Sequence, residues 1–396
     1  MKRSLQILVI DPHCQVPYYN SYFCAALADE GHSVELWSRS PQYLGNYFSQ
    51  QSFRVRKMMR MTTAIFGDNN FFSKIIKYIE LFFLDLPAFI FRAQKSDVIN
   101  IQWFSPAPLL FLELWMHKLL LLQGKKIFYT AHNIYPHQKT TSSSRYLSKI
   151  YALMDGIFVT TQYSKKQLES DFLFSAPVCV LPHGMMFHNS QNISQQSAKQ
   201  LLDISSQQKI ILLQGMLRPY KGIEFLLRTF SQLISNNSDA LLLIAGSGKK
   251  EYIKNISALV QELQIPSKNV MLHLRYIAFD ELPSYFRAAD IVVFPYQHIY
   301  QSGALLTAIG LQRAVIATNV GGFPEIIEND VSGKLIEFGN VSQFVHAMSE
   351  LLSSSEQREV CASNAFQKMN STYSWKNIAQ IATEFYSAIL EERFDE

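Results

Sequence analysis

Residues 209–230 read KIILLQGMLRPYKGIEFLLRTF. An apolar run, KIILL, enters a turn held by Gly215, Pro219 and Gly222, and an amphipathic pattern, IEFLLRTF, starts directly after it. That is a strand, a glycine loop and a helix. Arg218 and Lys221 lie in the loop. Backbone N–H groups at a helix start, with the helix dipole behind them, favour an anion. A guanidinium can fork onto phosphate oxygens, and an ammonium adds a point charge. Two readings follow: a phosphate site, or a solvated loop with two surface charges.

The same alternation extends in both directions. Upstream lie LQILVI (5–10), SVELWS (33–38), DVINIQW (97–103), KKIFYT (125–130), GIFVTT (156–161) and VCVLPH (178–183), with helical patterns between most of them. Downstream lie ALLLIAG (240–246), VMLHL (270–274), IVVFPY (291–296), AVIAT (314–318) and GKLIEF (333–338). Continuous apolar strands alternating with helices imply parallel sheets covered on both faces. The expected fold is α/β, with two Rossmann-like doubly wound domains facing a central cleft. The expected boundaries are residues 1–188 and 209–374, a polar linker at 189–208, and a C-terminal helix, 375–396, packing back across the first domain. Ligands of such domains sit beyond the carboxyl ends of the strands.

Composition narrows the function. Of 396 residues, 48% are hydrophobic and 17% charged, which suits large cores and excludes a disordered chain. The net charge of +4 comes without a long Lys/Arg block, so no nucleic-acid partner is expected. Cys14, Cys24, Cys179 and Cys361 are scattered, with no metal spacing, as in a reducing cytosol. MKRSLQILVIDPH reads as a first strand rather than a signal peptide. The apolar runs FFLDLPAFIF and LLFLELWMHKLLLL are broken by charges and read as buried or interfacial helices. Residues 53–83, FRVRKMMRMTTAIFGDNNFFSKIIKYIELFF, mix basic and aromatic side chains in a helical pattern. They suit either an anionic membrane surface or a core stripe with a solvated basic face.

Three more motifs bear on chemistry. FPYQHIYQSGALLTAIG (294–310) places Ser302 and Gly303 at a second helix start, where small residues let a ligand approach the backbone. The alternative is an ordinary βα turn. IAGSGKKEY (244–252) reads as a tight strand-to-helix turn, and no Gly-x-Gly-x-x-Gly opens either domain, which counts against nicotinamide and flavin. YTAHNIYPHQ (129–138) sets His132 just past a strand end, beside Asn133 and His137, as a substrate contact or a structural histidine.

With these pieces assembled, the chain resembles the GT-B glycosyltransferases, most closely glycosyltransferase family 4. The likeness is strong from GMLRPYKG through LLLIAGSGKK, LPSYFRAADIVVFPY, QSGALLTAIG and VIATNVGGFPEIIENDVSGKLI, and moderate in TAHNIYPH, MDGIFVTTQYSKKQL and VLPHGM. The resemblance implies transfer of a sugar from a GDP- or UDP-sugar, held by the C-terminal domain, to a glycan or lipid-linked acceptor, held by the N-terminal domain. The setting it implies is surface polysaccharide or glycolipid synthesis.

Residue by residue, Lys221 matches the family lysine on the donor diphosphate. The usual arginine position is Met216, so Arg218 is expected to take that role. The family's paired glutamates fall on Ile299 and Thr307, so both carboxylates are missing. Gly215, Gln301, Ser302 and Gly303 would meet the phosphates, and Thr307 would donate one hydrogen bond. Glu325 is the nearest carboxylate that could compensate, and Tyr276 marks the region holding the base. His132 matches a histidine near the donor sugar in retaining members. Were the reaction inverting, Asp11, His13 and His137 would be the base candidates, with Asn133 on the acceptor side. No Asp-x-Asp motif is present, so neither metal nor cofactor is expected. The location implied is cytoplasmic, peripheral to the inner membrane face. A non-catalytic relative, a nucleotide-sugar epimerase or a phosphorylase are the competing readings.

Overall fold

The computed structural model describes residues 3–39, 51–57, 80, 84, 86–103, 118, 120, 123–135, 141–187, 193–235 and 237–391. His137 and most of 53–83 and 109–122 lie outside the described residues. The chain forms two compact units, Met1–Pro182 with Trp375–Glu396, and His183–Ser374.

In the first unit, β1 (Gln6–Asp11), β2 (Ser33–Ser38), β3 (Arg54–Lys57), β4 (Val98–Ile101), β5 (Lys126–Ala131), β6 (Gly156–Val159) and β7 (Val178–Val180) form one sheet. Its order is β3-β2-β1-β4-β5-β6-β7, and every pairing is parallel. The order turns back on itself between β1 and β4, which is where doubly wound sheets bind ligands. Val9, Ile99, Phe128 and Phe158 are all fully buried, because helices cover both faces.

The helix Trp375–Glu391 belongs to this unit and packs on the helix Pro17–Asp29. The Trp375 ring stacks on Tyr22 at 5.4 Å, and the Tyr386 ring stands edge-on to Phe128 at 4.7 Å and Phe158 at 5.4 Å. Gly156 permits that approach, since a Cβ there would come within 2.7 Å of the Ile389 and Phe128 side chains.

In the second unit, β8 (Lys209–Gln214), β9 (Ala240–Ala245), β10 (Val270–His273), β11 (Ile291–Phe294), β12 (Ala314–Thr318) and β13 (Lys334–Ile336) form a six-stranded sheet. Its order is β10-β9-β8-β11-β12-β13, again all parallel, with an apolar core on each face. Here the turning point lies between β8 and β11. The expected α/β class with two doubly wound sheets is therefore what forms.

Three details differ from expectation. Arg54–Lys57, read as part of a helical surface, is an edge strand on β2. Its Arg56 guanidinium lies 4.8 Å over the Trp37 ring, so a basic run can pair as strand while its charges stay at the surface. The units divide at Pro182/His183 instead of residue 188. The polar stretch read as a linker holds the helix Gln195–Leu201, capped by Ser194, with Ala198 buried and Lys199 reaching Asp290 at 3.5 Å. Among the described residues, no helix is long and apolar enough to cross a membrane.

Replacing Gly156 by valine forces the terminal helix off the sheet. Overpacking of this kind costs about 1–3 kcal/mol. Chemical denaturation should show that loss in the first unit's transition.

Candidate active site

The β8 loop is built by close backbone approach. Gly215 has φ +126° and Gly246, just past β9, has φ +155°. A Cβ on Gly246 would collide with the Gly215 carbonyl, so the two loops lie together only because Gly246 lacks one. Leu217 N–H donates to the Ser247 carbonyl at 2.7 Å, which continues the pairing beyond the strands. Pro219–Lys221 then form a single 3₁₀ turn, and Gly222, at φ +67°, starts the helix Ile223–Leu233. A Cβ on Gly222 would collide with the Pro295 carbonyl, which presses the β8 loop against the β11 loop. Gln297 N–H donates to the Tyr220 carbonyl at 2.7 Å and fastens the same two loops again.

Lys221 is the charged centre of this arrangement. A Cβ on Gly215 would lie 2.5 Å from its ammonium, so that glycine also makes room for the charge. The Nζ atom sits 5.0 Å from the Tyr296 ring centroid. Three lysines are buried among the described residues: Lys199, Lys221 and Lys334. Lys199 faces Asp290, and Lys334 reaches Asp330 at 2.6 Å and Glu350 at 2.7 Å. Lys221, 6% exposed, has no carboxylate or other acceptor among the described residues. Burial chiefly, opposed by Tyr220 and aided by the Arg218 guanidinium, brings its pKa from 10.5 down to about 8. Arg218 is partly buried, and among the described residues its Nε–H meets the Met216 thioether, at 3.1 Å. Two cations and a helix N-terminus thus gather at one loop, with no carboxylate paired to them among the described residues.

The β11 loop supplies a second helix start. Ser302 is buried and caps the helix Gly303–Gly310, its Oγ accepting from Leu305 N–H at 3.3 Å. The Gln301 Oε1 atom is buried without a hydrogen-bond partner. Of the two positions where the family carries glutamate, Ile299 is buried and apolar. Thr307 corrects an expectation: its hydroxyl is buried and donates to the Gly303 carbonyl at 2.8 Å, so its proton is engaged inside its own helix. The outer loops are less closely joined to this pair. Tyr276 follows β10, two strands from β8; its ring is half-exposed and its carbonyl accepts from Arg275 at 3.0 Å. That loop is pinned by the fork of Arg275 on Glu281, which holds the Glu281 carboxyl down at about 2. Glu325 lies on the short helix Phe323–Ile326 after β12, where its charge raises the Tyr373 pKa beyond the effect of burial.

The first unit sorts its candidates differently. Asp11 ends β1 fully buried, and both carboxylate oxygens are occupied. Oδ1 accepts from Gln15 N–H at 3.0 Å, and Oδ2 accepts from Val16 N–H at 3.0 Å and Asn20 Nδ2 at 2.9 Å. Burial raises its pKa against those donors. Asp11 therefore shapes the turn into the helix Pro17–Asp29 rather than standing ready as a base. His13 is partly buried in that turn, and Asn133 is partly buried after β5. His132 is held in place: its Nε2 lies 2.9 Å from Gln102 Oε1, with the Tyr19 ring edge-on at 4.8 Å and the Trp103 ring stacked at 6.3 Å. Sequence reading passed over Gln102 and Tyr296. Polar Asn100 and Gln102, alternating inside the apolar run DVINIQW, were the available signal for the first.

Known proteins match this frame. The family described as glycosyltransferase family 4 matches residues 16–185, and the one described as glycosyl transferases group 1 matches 194–368. An uncharacterized glycosyltransferase of Methanocaldococcus jannaschii is 28% identical over 48% of this chain and 47% of its own length. The lipopolysaccharide 1,2-N-acetylglucosaminetransferase of Salmonella typhimurium is 26% identical over 57% of this chain and 60% of its own. The chain thus spans about half the length of the curated relatives it matches. Among solved structures, the sucrose-phosphate synthase of Thermosynechococcus elongatus superposes with a TM-score of 0.76 at 17% identity, covering 98% of this chain and 100% of that one. Anabaena HepE, solved in complex with UDP-glucose, gives 0.76 at 15% identity, covering 97% and 100%. With one family on each unit and the shared fold over nearly the whole chain, the protein belongs to the GT-B glycosyltransferases of the family 4 type.

Proposed function

We propose that the protein transfers a sugar from a nucleoside diphosphate sugar to a glycan or lipid-linked acceptor. The observation that carries this reading is Lys221, a buried ammonium with no acceptor among the described residues, next to Arg218 and two helix starts. A diphosphate would satisfy all four. In the reaction, the bond from the anomeric carbon to the diphosphate oxygen breaks and its electron pair stays on the diphosphate. The acceptor hydroxyl oxygen bonds the carbon and gives up its proton to the departing diphosphate. Lys221, Arg218 and the helix N-termini stabilise the growing negative charge more than the ground state, without a divalent cation.

A retaining course is supported by Asp11, whose oxygens are occupied, so that no base is aimed at the acceptor from β1. Gln301 Oε1, buried and unmatched, would take a donor hydroxyl in place of the missing glutamates. UDP is the first donor base to test, since HepE was solved with UDP-glucose. The lipopolysaccharide relative supports an acceptor at the inner membrane face, and Arg54, Arg56 and Lys57 offer it a basic edge. The loss of both glutamates favours one other reading, a non-catalytic relative that binds donor without turnover. Nucleotide release across donors and an acceptor panel separates the two.

Lys221→Met keeps the shape and removes the charge. Titration calorimetry should find UDP affinity at least about tenfold weaker, the scale of a lost charge-assisted contact. The ligand-free variant should melt higher than the wild type, because an unpaired buried charge is gone. Equal UDP affinity in the two proteins would refute the assignment.

The pH dependence has a definite sign. Lys221 titrates near 8 when folded and near 10.5 when unfolded, so between those values the unfolded chain holds more protons. The ligand-free fold therefore gains stability as pH rises through that window. The diphosphate needs the charged form, so its affinity should fall above pH 8, approaching about tenfold per unit. Calorimetry from pH 7 to 9.5 should show that slope in the wild type and not in Lys221→Met.

A further inference from the structure

Tyr296 follows β11 in the second unit, and its ring is 1% exposed. The ring is locked from several sides. The Phe323 ring lies 5.5 Å from it, and the Phe294 and Tyr220 rings stand edge-on, each at 5.8 Å. The fully buried Thr318 hydroxyl donates to the Tyr296 carbonyl at 2.6 Å. Its chain neighbours, Pro295 and Gln297, are the residues that meet the β8 loop, at Gly222 and at the Tyr220 carbonyl. Over this fixed ring lies the Lys221 Nζ atom, 5.0 Å from the centroid, and on another side Gly215 leaves the ammonium its room. The phenol hydroxyl makes no hydrogen bond of ordinary geometry, so the ring face is what the residue presents to its neighbours. Burial raises the phenol's pKa, opposed by the Ser302 hydroxyl, so no phenolate forms to pair with Lys221.

We propose that Tyr296 is a positioning residue, whose ring face holds the Lys221 ammonium in place and charged for the donor diphosphate. The inference rests on the reading of Lys221 as the diphosphate contact. A lysine head on its four-carbon stem has many rotamers, and a group that fixes it before the ligand arrives removes reorganisation from binding. The negative face of an aromatic ring attracts a cation, most strongly where water is excluded. A carboxylate would hold the ammonium too, but it would also neutralise it, as Asp290 does for Lys199 and Asp330 and Glu350 do for Lys334. The ring takes neither the proton nor the N–H directions that an anion would use. The other ionisable groups bearing on Lys221 are Tyr220, which favours its charge, and Arg218, which opposes it. From the β11 loop, His298 packs on the Tyr220 ring at 5.1 Å. Among the described residues no carboxylate faces the ammonium, so the ring is the one printed contact of its head group.

Fluorination separates the charge of the ring face from its packing. Phenylalanine, and then pentafluorophenylalanine introduced by nonsense suppression, keep the shape at position 296, while the second reverses the sign of the ring face. Lysine labelled with carbon-13 at Cε reports each ammonium's titration, and Lys221→Met assigns the signal. Tyr296→Phe should titrate Lys221 as the wild type does and bind UDP within about twofold of it. Pentafluorophenylalanine should lower the Lys221 pKa by about 0.5–1 unit and weaken UDP binding at pH 7 by about three- to tenfold. That loss should vanish in the Lys221→Met background, where no ammonium remains over the ring. Equal titration and equal UDP affinity in the two substituted proteins would mean a ring that only packs, and would overturn the proposal. So would a Tyr296→Phe protein that binds UDP as weakly as the fluorinated one, since the role would then belong to the hydroxyl. A wild type that binds neither UDP nor GDP would count against the donor reading, and the Lys221 titration in the ligand-free protein would then judge the ring contact by itself.

Discussion

An ammonium removed from water with no carboxylate beside it raises the free energy of the folded state, and the second unit keeps one at the end of its central strand. Lys199 and Lys334 show that this fold can pair a buried lysine where pairing is all that is needed. At Lys221 the surroundings instead compound the charge. Arg218 is of the same sign, and the starts of Ile223–Leu233 and Gly303–Gly310 present positive dipole ends. The Tyr296 ring face gives partial relief. The loops that create this strain are held shut by Gly215, Gly222 and Gly246, each at a point where a side chain would not fit. Backbone geometry, charge and burial thus concentrate positive charge at one point of the second unit.

Much of this was legible in the sequence, for identifiable reasons. Strands buried on both faces are written as unbroken apolar runs, so KIILLQ and AVIAT coincide with β8 and β12 residue for residue. The glycine loop with two cations is likewise a local pattern, set by residues within one turn of each other. What escaped depends on partners far along the chain. RVRK carries no apolar run because β3 lies at a sheet edge, and only Trp37 beneath Arg56 explains how it settles there. The stretch 189–208 reads as linker because it is polar, yet Ser194 caps a helix in it and Asp290, ninety-one residues from Lys199, anchors that helix.

The site residues show the same limit. Asp11 and Thr307 each have a side chain suited to the chemistry proposed for them, and each is already engaged with its own backbone neighbourhood. Residue type says what a group can do; whether its donors and acceptors remain available is decided by the fold. Gln102 is the converse case. Its amide is held by Asn100 and Thr130 on neighbouring strands, and Asn100 in turn by Tyr386, 284 residues from Gln102, a conjunction visible only once the terminal helix is in place.

The distribution of charge then bears on how such an enzyme would work. Both family glutamate positions are filled by side chains that offer a ligand nothing, and the one buried carboxylate on β1 is occupied. Around Lys221, among the described residues, what remains is two basic side chains and two helix starts. Such a set is poor at taking a proton from an acceptor and good at stabilising a leaving diphosphate. The conspicuous shortage of carboxylates is then consistent with the proposed chemistry, since a carboxylate beside Lys221 would neutralise the charge that the departing group requires.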